Sequence, residues 1–324
     1  MERIFQTCSG IHLILQEASV KKRLQRQIAC PAADRKGVYS IMTDTRMIDL
    51  HVHSSASDGT FSPSALLAEA KKAGLSAMAL TDHDTMDGIE EAGKAARELE
   101  IELVPGVEIS TEYEGCEVHV LGYYVSPEYP RLKAMLEEFR DFRATRNVRM
   151  VERLREEGFS ITMEDLTGKF PDSVLTRAHM ARFLCETGQI PDTKTAFSKY
   201  LGENCCCYID RPKISPVEAV RLIREAGGLA VLAHPVLYLL SDTSLRQMIA
   251  EMKEAGMCGI EAVYSENSNE DEVRMKKLTE EFGLLVTGGS DFHGRNKPDI
   301  LPGVGKGNLH IPYDYLKALK EKLS

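Results

Sequence analysis

The stretch "MIDLHVHSSASDGT" sets His51 and His53 one residue apart, with Asp58 five residues beyond. Side chains alternate along an extended strand, so both imidazoles point to one face. Asp58 lies past the apolar run in a Ser/Gly turn, within reach of a neighbouring ion. Imidazole with carboxylate, and no thiolate, is a donor set for Zn, Mn or Fe rather than for Ca or Mg alone. The same residue types recur along the chain. His83, Glu108, His234, Asp291 and His293 close apolar runs, and His119 lies within one. With His179, seven of the nine histidines fall at or near such positions, leaving His12 and His310. A lone histidine is usually packed or solvated with its hydrogen bonds satisfied. Seven converging beside Asp58, Glu108 and Asp291 are not explained that way. So many ligands exceed one ion, and two or three divalent ions are implied, with a carboxylate available to bridge them.

The elements that carry these residues alternate. "MIDLHVH" reads as a strand. A helix follows, with Ser62 as N-cap, Pro63 at its first position and Gly74 after its last turn. "LSAMALTDHD" is the next strand. "DGIEEAGKAARELE" is a helix with Ile89, Ala92, Ala96 and Leu99 on one face. "IELVPGVEIST" and "EVHVLGYYV" are strands three and four. Residues 128–215 break the rhythm with helical patterns and read as an insert capping the site. Strands "LAVLAHP", "GIEAVYS" and "LLVTGGSDFH" then alternate with helices. Seven strands in βα units predict an α/β fold, a parallel sheet closed as a distorted seven-unit TIM-like barrel. The barrel is assigned to 47–127 and 216–324. In such a barrel the strand ends share one rim, where sites form.

With 324 residues and 43% hydrophobic content, a sizeable core is affordable in one large domain with an insert. The formal charge of −9 is uneven. Residues 1–47 hold eight Lys/Arg against four acids, so the body is strongly acidic. That argues against capture of duplex nucleic acid but allows a small phosphate ligand held through bound cations. Residues 1–46 are expected to be a basic extension, or translation from a start set too far upstream, with Met42 or Met47 the true start. The eight cysteines follow no framework, and "CCC" at Cys205–Cys207 is no C-x-x-C pair, which suggests free thiols in a reducing cytoplasm. No apolar run reaches a membrane-spanning length, and no obligate protein partner is evident.

The motifs "DLHVHS…SDG", "TDHD", "GVEIS", "VHVLGY", "AHP" and "SDFH" together resemble those of the PHP (polymerase and histidinol phosphatase) family over about 47–310. The likeness is greatest to its small bacterial phosphoesterases, which act as 3′,5′-nucleoside bisphosphate phosphatases and 5′→3′ exoribonucleases. The resemblance implies one ion on His51, His53, Glu108 and Asp291. It implies a second sharing Glu108 with His119 and His234, and a third on Asp58, His83 and His293. Mn²⁺ leads the candidates, with Zn²⁺ or Fe²⁺ as alternatives. Asp49, Asp82 and Asp84 read as carboxylates that support the ligands.

"TRAHMARFL" resembles the family's R-x-H helix. Arg177 would hold phosphate through its planar fork, and His179 would position it or protonate the leaving oxygen. Arg143 and Arg146 stand about one turn apart and extend toward Arg149. A solvated helix face is the ordinary reading of such a row, and substrate binding the other. The implied reaction is in-line hydrolysis of a phosphate ester by metal-activated hydroxide. The substrate would be a phosphorylated nucleotide or a short RNA 5′ end. A histidinol-phosphate phosphatase and a non-catalytic scaffold of the kind carried by DNA polymerases are the rival readings. The insert speaks against the former, and the full ligand set against the latter.

Overall fold

A computed structural model describes residues 45–171, 175–203, 205–210 and 214–323. The expected extension over 1–46 falls outside these, apart from Thr45 and Arg46. Seven strands form one sheet in sequence order: β1 Met47–Val52, β2 Leu75–Leu80, β3 Glu102–Tyr113, β4 Cys116–Tyr123, β5 Leu229–Leu232, β6 Gly259–Tyr264 and β7 Leu285–Gly289. The sheet curls until its edges meet near the rim. There the His53 amide donates to the Phe292 carbonyl at 3.0 Å, and the Asp291 amide to the His51 carbonyl at 2.8 Å. The barrel is thus nearly closed.

One strand departs from the expected all-parallel order. β4 runs antiparallel to both β3 and β5, whereas the other neighbours are parallel. The cause is local. Only Glu114 and Gly115 join β3 to β4, both at positive φ (50° and 78°). Two such residues make a tight hairpin, and a parallel crossover needs a dozen or more. The reversal places the first half of β4, with His119, at the same rim as the C-terminal ends of its neighbours.

Both faces of β1 are buried. Ile48, Leu50 and Val52 point outward beneath the helices, while Asp49, His51 and His53 point inward, all six fully buried. Helix α1 (Pro63–Lys72) begins at Ser62, whose hydroxyl accepts from the Ala65 amide, and it buries Leu66, Leu67 and Ala70. These pack with Val52, Leu80 and the alanines of α2 (Ile89–Leu99). Each such fully buried leucine contributes about 1.5–3 kcal/mol.

The chain then leaves the barrel through α3 (Pro130–Glu156), α4 (Met163–Lys169), α5 (Arg177–Glu186), α6 (Thr193–Ala196) and a π-turn (Phe197–Leu201). The upper part of this region has its own core, with Met150, Leu154, Leu166, Met180 and Leu184 at its centre. The lower part of α3 packs on the barrel through Leu132, Met135 and Phe139. Helices α7 (Pro216–Glu225), α8 (Asp242–Glu254), α9 (Asn269–Glu281) and α10 (Tyr313–Glu321) complete the outer layer. Among the described residues, no helix is long and apolar enough to cross a membrane.

Candidate active site

Glu108 is the hub of the rim. It is fully buried in the middle of β3, which runs on past it to Tyr113 rather than ending there as the sequence pattern suggests. Its Oε1 lies 3.0 Å from His119 Nδ1, 3.0 Å from His234 Nε2 and 3.3 Å from His51 Nε2. Its Oε2 lies 2.9 Å from His83 Nδ1 and 3.3 Å from His53 Nε2. Asp291 Oδ1 stands 3.4 Å from His53 Nε2, and Asp58 Oδ1 stands 3.2 Å from His293 Nε2. All nine residues singled out in the sequence as metal-type donors therefore meet in one cluster. Its donor atoms fall into overlapping groups within 4.8 Å: His53, Asp58, His83 and His293; His51, Glu108 and His234; His51, His53 and Asp291; His83, Glu108 and His119.

The supporting carboxylates are partly other than those expected. Asp49 Oδ1 accepts from the Ser290 amide at 2.8 Å and Oδ2 from the Gly303 amide at 2.7 Å, so it ties the backbone after β7 to β1. Asp82 accepts from the Ser54 amide and from the Ser54 and Ser57 hydroxyls, fixing the turn that presents Asp58. Asp84 accepts from the Ser110 amide at 2.9 Å and pairs with Arg143. The residue that orients His51 is Glu261, which the sequence reading passed over. Its Oε1 accepts from His51 Nδ1 at 3.0 Å and its Oε2 from the His234 amide at 2.8 Å. Glu117, also passed over, stands 3.3 Å from His119 Nε2. A carboxylate behind an imidazole fixes its tautomer and turns the opposite nitrogen toward the site. The available signal was one acid at alternating positions within an apolar strand, as in "GIEAVY".

The backbone here is held in unusual shapes. Asp84, His234 and Asp291 all take positive φ (53°, 23° and 56°). Non-glycine residues adopt such values only where the surroundings enforce them, often at functional sites. Gly289 is required for a different reason. A Cβ there would fall 2.1 Å from His51 Cβ and 2.8 Å from Glu261 Oε1. Gly289→Ala is expected to cost about 1–3 kcal/mol and to lower bound metal by displacing His51. Thermal unfolding and metal content, read on one preparation, check both.

The donor set fits divalent cations. With His51 Nδ1 turned to Glu261, its Nε2 is the nitrogen that can exchange a proton for a cation, and it faces His53 Nε2 at 3.1 Å. His83 Nδ1 and Glu108 Oε2 lie 2.9 Å apart without hydrogen-bonding geometry. His53 Nδ1, Asp58 Oδ1 and His234 Nδ1 are also buried without a hydrogen bond. Donor atoms converging on shared points without hydrogen-bonding geometry are what a cation resolves.

Protonation tells the same story for the metal-free chain. Burial opposes charge on His51, but Glu261, Glu108 and Asp291 hold its pKa well above the ordinary value. By the same balance His53 is raised to about 9, chiefly by Asp291 and Glu108, and His119 to about 10, chiefly by Glu108. Burial works the other way on His293, which with Lys297 and His53 drops to about 4, and His234 is lowered by burial too. The raised group stabilises the fold below the unfolded value near 6.5 and loses that contribution as pH climbs toward 9–10. The lowered pair stabilises it above about 6.5 and loses that contribution as pH falls through their folded values. Metal-stripped protein should therefore melt highest near pH 6.5 and fall steadily up to pH 10. A saturating divalent cation should flatten the alkaline limb, since bound ions replace those protons. Melting temperature against pH, with and without metal, checks this.

The insert forms the opposite wall of a cavity of about 210 Å³. Asp58, His83 and His119 line it from the rim, and Arg143, Arg146, Asn147, Arg177 and Phe197 line it from the insert. Arg143 and Arg146 thus turn inward rather than forming a solvated row. Arg146 is 7% exposed and donates from Nε to the Ile209 carbonyl at 2.6 Å. Arg149, further along the row, is exposed and lies outside this cavity. Arg177 opens α5 and pairs through Nη2 with Glu117 at 3.0 Å. His179 sits two residues on, almost fully buried and beside Phe170. Its Nδ1 accepts from the Thr176 amide at 3.1 Å, so the ring caps α5 and carries its proton on Nε2. Burial lowers its pKa, partly offset by the Asp58 carboxylate. Midway along, α5 is tied to the rim through Arg182 and Asn296, whose amide donates to the Asp58 carbonyl at 2.7 Å.

Comparison with known proteins agrees with this geometry. The sequence model of the family described as "PHP domain" matches residues 49–191. The chain is 35% identical over 249 residues to a 5′-3′ exoribonuclease of Haemophilus influenzae, covering 77% of this chain and 90% of that one. It is 34% identical over 254 residues to a 3′,5′-nucleoside bisphosphate phosphatase of Chromobacterium violaceum, covering 76% and 87%. A crystal structure from Bifidobacterium adolescentis, described as a metal-dependent phosphoesterase, superposes with a TM-score of 0.75 at 33% identity, covering 86% of this chain and 96% of that one. Sequence likeness over most of both chains, together with a histidine- and carboxylate-lined rim on a seven-stranded barrel, places this chain in the PHP family.

Proposed function

We propose that this phosphoesterase removes phosphate from 3′,5′-nucleoside bisphosphates and acts on the 5′ end of short RNA. The observation that carries the reading is the cavity shared by two walls. One wall is the cluster around Glu108, and the other presents Arg143, Arg146 and Arg177. Two or three divalent ions, Mn²⁺ first among them, are assigned to His51, His53, Asp58, His83, Glu108, His119, His234, Asp291 and His293. When bound, such ions activate water and neutralise charge on the phosphoryl oxygens.

The protein's own groups do the rest. Arg177 lies over the cavity with its fork held by Glu117, and it grips the phosphate through paired N–H donors. Arg143 and Arg146 hold the remainder of the substrate. His179 positions the phosphate by a hydrogen bond donated from Nε2 toward the leaving oxygen, because Nδ1 is engaged by the Thr176 amide. Glu261 and Glu117 keep His51 and His119 turned inward.

The test is a panel assay in Mn²⁺, Zn²⁺ and Mg²⁺. It compares 3′-phosphoadenosine 5′-phosphate, 5′-AMP, histidinol phosphate and 5′-phosphorylated oligoribonucleotides. Turnover is expected on the bisphosphate and the short RNA. Phosphate released only from histidinol phosphate overturns the proposal.

A further inference from the structure

The Cys205–Cys207 segment lies directly behind the arginine wall. Cys207 is fully buried and Cys206 is exposed, with their sulfurs 3.7 Å apart. Cys206 Sγ reaches the Lys199 carbonyl at 3.7 Å, and Cys205 Sγ reaches the Phe197 carbonyl at 3.5 Å. These contacts tie the segment to the π-turn, whose Phe197 lines the cavity. Backbone groups on either side of Cys207 hold arginines of α3. The Cys206 and Tyr208 carbonyls accept from Arg153 at 3.3 and 2.7 Å, and the Ile209 carbonyl accepts from Arg146 at 2.6 Å. The Tyr208 ring lies under both Arg146 and Arg177, at 5.0 and 5.4 Å from their guanidinium carbons. The thiol pair and the phosphate-facing arginines therefore share one short stretch of chain.

We propose that Cys206 and Cys207 form a reversible vicinal disulfide under oxidising conditions, and that its closure loosens the hold of Tyr208 and Ile209 on Arg146 and Arg177. The oxidant is a small disulfide such as oxidised glutathione. Cys206, the exposed thiol, attacks as thiolate and forms a mixed disulfide, releasing one glutathione thiol. Cys207 then displaces the second, so two protein thiols are oxidised as one disulfide is reduced. Burial and the adjacent Cys206 push the Cys207 thiol up to about 12, which leaves Cys206 as the attacking group. Closure must bring the sulfurs from 3.7 Å to about 2.05 Å across consecutive residues. Consecutive Cα atoms stand about 3.8 Å apart, closer than ordinary disulfides allow, so the bond is strained and readily reduced again. It also removes the Cys206 donor to the π-turn. The effect on turnover rests on the proposed phosphate-holding role of the arginines.

The experiment uses the full chain loaded with Mn²⁺, before and after oxidised glutathione and after dithiothreitol. Peptide mapping is expected to show a Cys206–Cys207 bridge. KM for 3′-phosphoadenosine 5′-phosphate should rise roughly tenfold, as one charge-assisted hydrogen bond is weakened, while kcat changes less and dithiothreitol restores both. Cys206→Ser should keep the reduced-state KM and lose the response, and Cys205→Ser should keep the response. A map lacking the bridge, an unchanged KM in bridged protein, or an equal response in Cys206→Ser overturns the proposal. If the reduced enzyme is inactive on the nucleotide, the substrate reading fails. Hydrogen exchange over 205–210 then decides between a loosened segment and no switch.

Discussion

Glu108→Gln should reduce kcat/KM by roughly a thousandfold or more. The substitution keeps the shape of the side chain and removes its charge. That carboxylate stands within 3.3 Å of His51, His53, His83, His119 and His234. Burial opposes its ionisation, yet His119, His51 and His83 hold its pKa well below the usual carboxylate range. A neutral amide puts an N–H donor where the carboxylate offered a second anionic oxygen, so it can neither balance cationic imidazoles nor serve two donor groups. Bound metal should fall with activity, because the same oxygens serve more than one donor group. Phosphate release and metal content together check this. A variant with near wild-type metal and more than about a tenth of the activity would show that the acid does not bridge.

Arg177→Ala should lower kcat/KM by about a hundredfold with metal content unchanged. Two effects add. The fork that would hold a phosphate is lost, and Glu117 loses its 3.0 Å partner in a wall that must accept an anion. Arg177→Lys restores the charge but not the paired donors, so it should recover only part of the loss. Adding Glu117→Gln to Arg177→Ala should recover activity if unpaired negative charge is part of the penalty. It should not if the carboxylate matters only for turning His119. Steady-state kinetics on the four proteins separates these outcomes. Equal activity of the lysine and wild-type enzymes would remove the case for bidentate phosphate binding.

Much of the site was legible because strand ends carry it. The spacing of His51 and His53 predicted one inward face, and the cluster contains both. The barrel followed from alternating strands and helices. The reversed β4 was missed because hydropathy reports a strand and not its direction, although Glu114-Gly115 is a hairpin-sized link. Glu261 and Glu117 were passed over for another reason. A single acid in an apolar strand shows nothing of its partner, and Glu261 meets His51 across 210 positions of sequence. Arg143 and Arg146 were ambiguous because a row of arginines looks the same on a solvated face and on a cavity wall. The choice depends on where the barrel stands relative to α3.

Reversing β4 also sets the route of the chain. The strand finishes at the base of the barrel, on the side away from the metal-type residues. There Tyr129 and Arg131 meet Glu225 at the end of α7. The next segment has to climb the outside of the barrel to reach the mouth, where Arg143 meets Asp84. A helix rises 1.5 Å per residue, so the twelve steps from Arg131 to Arg143 span about 18 Å. α3 is therefore a measured ladder as well as part of a cap. Removing one turn would drop its arginines by about 5.4 Å, out of register with the mouth, without touching a single residue there.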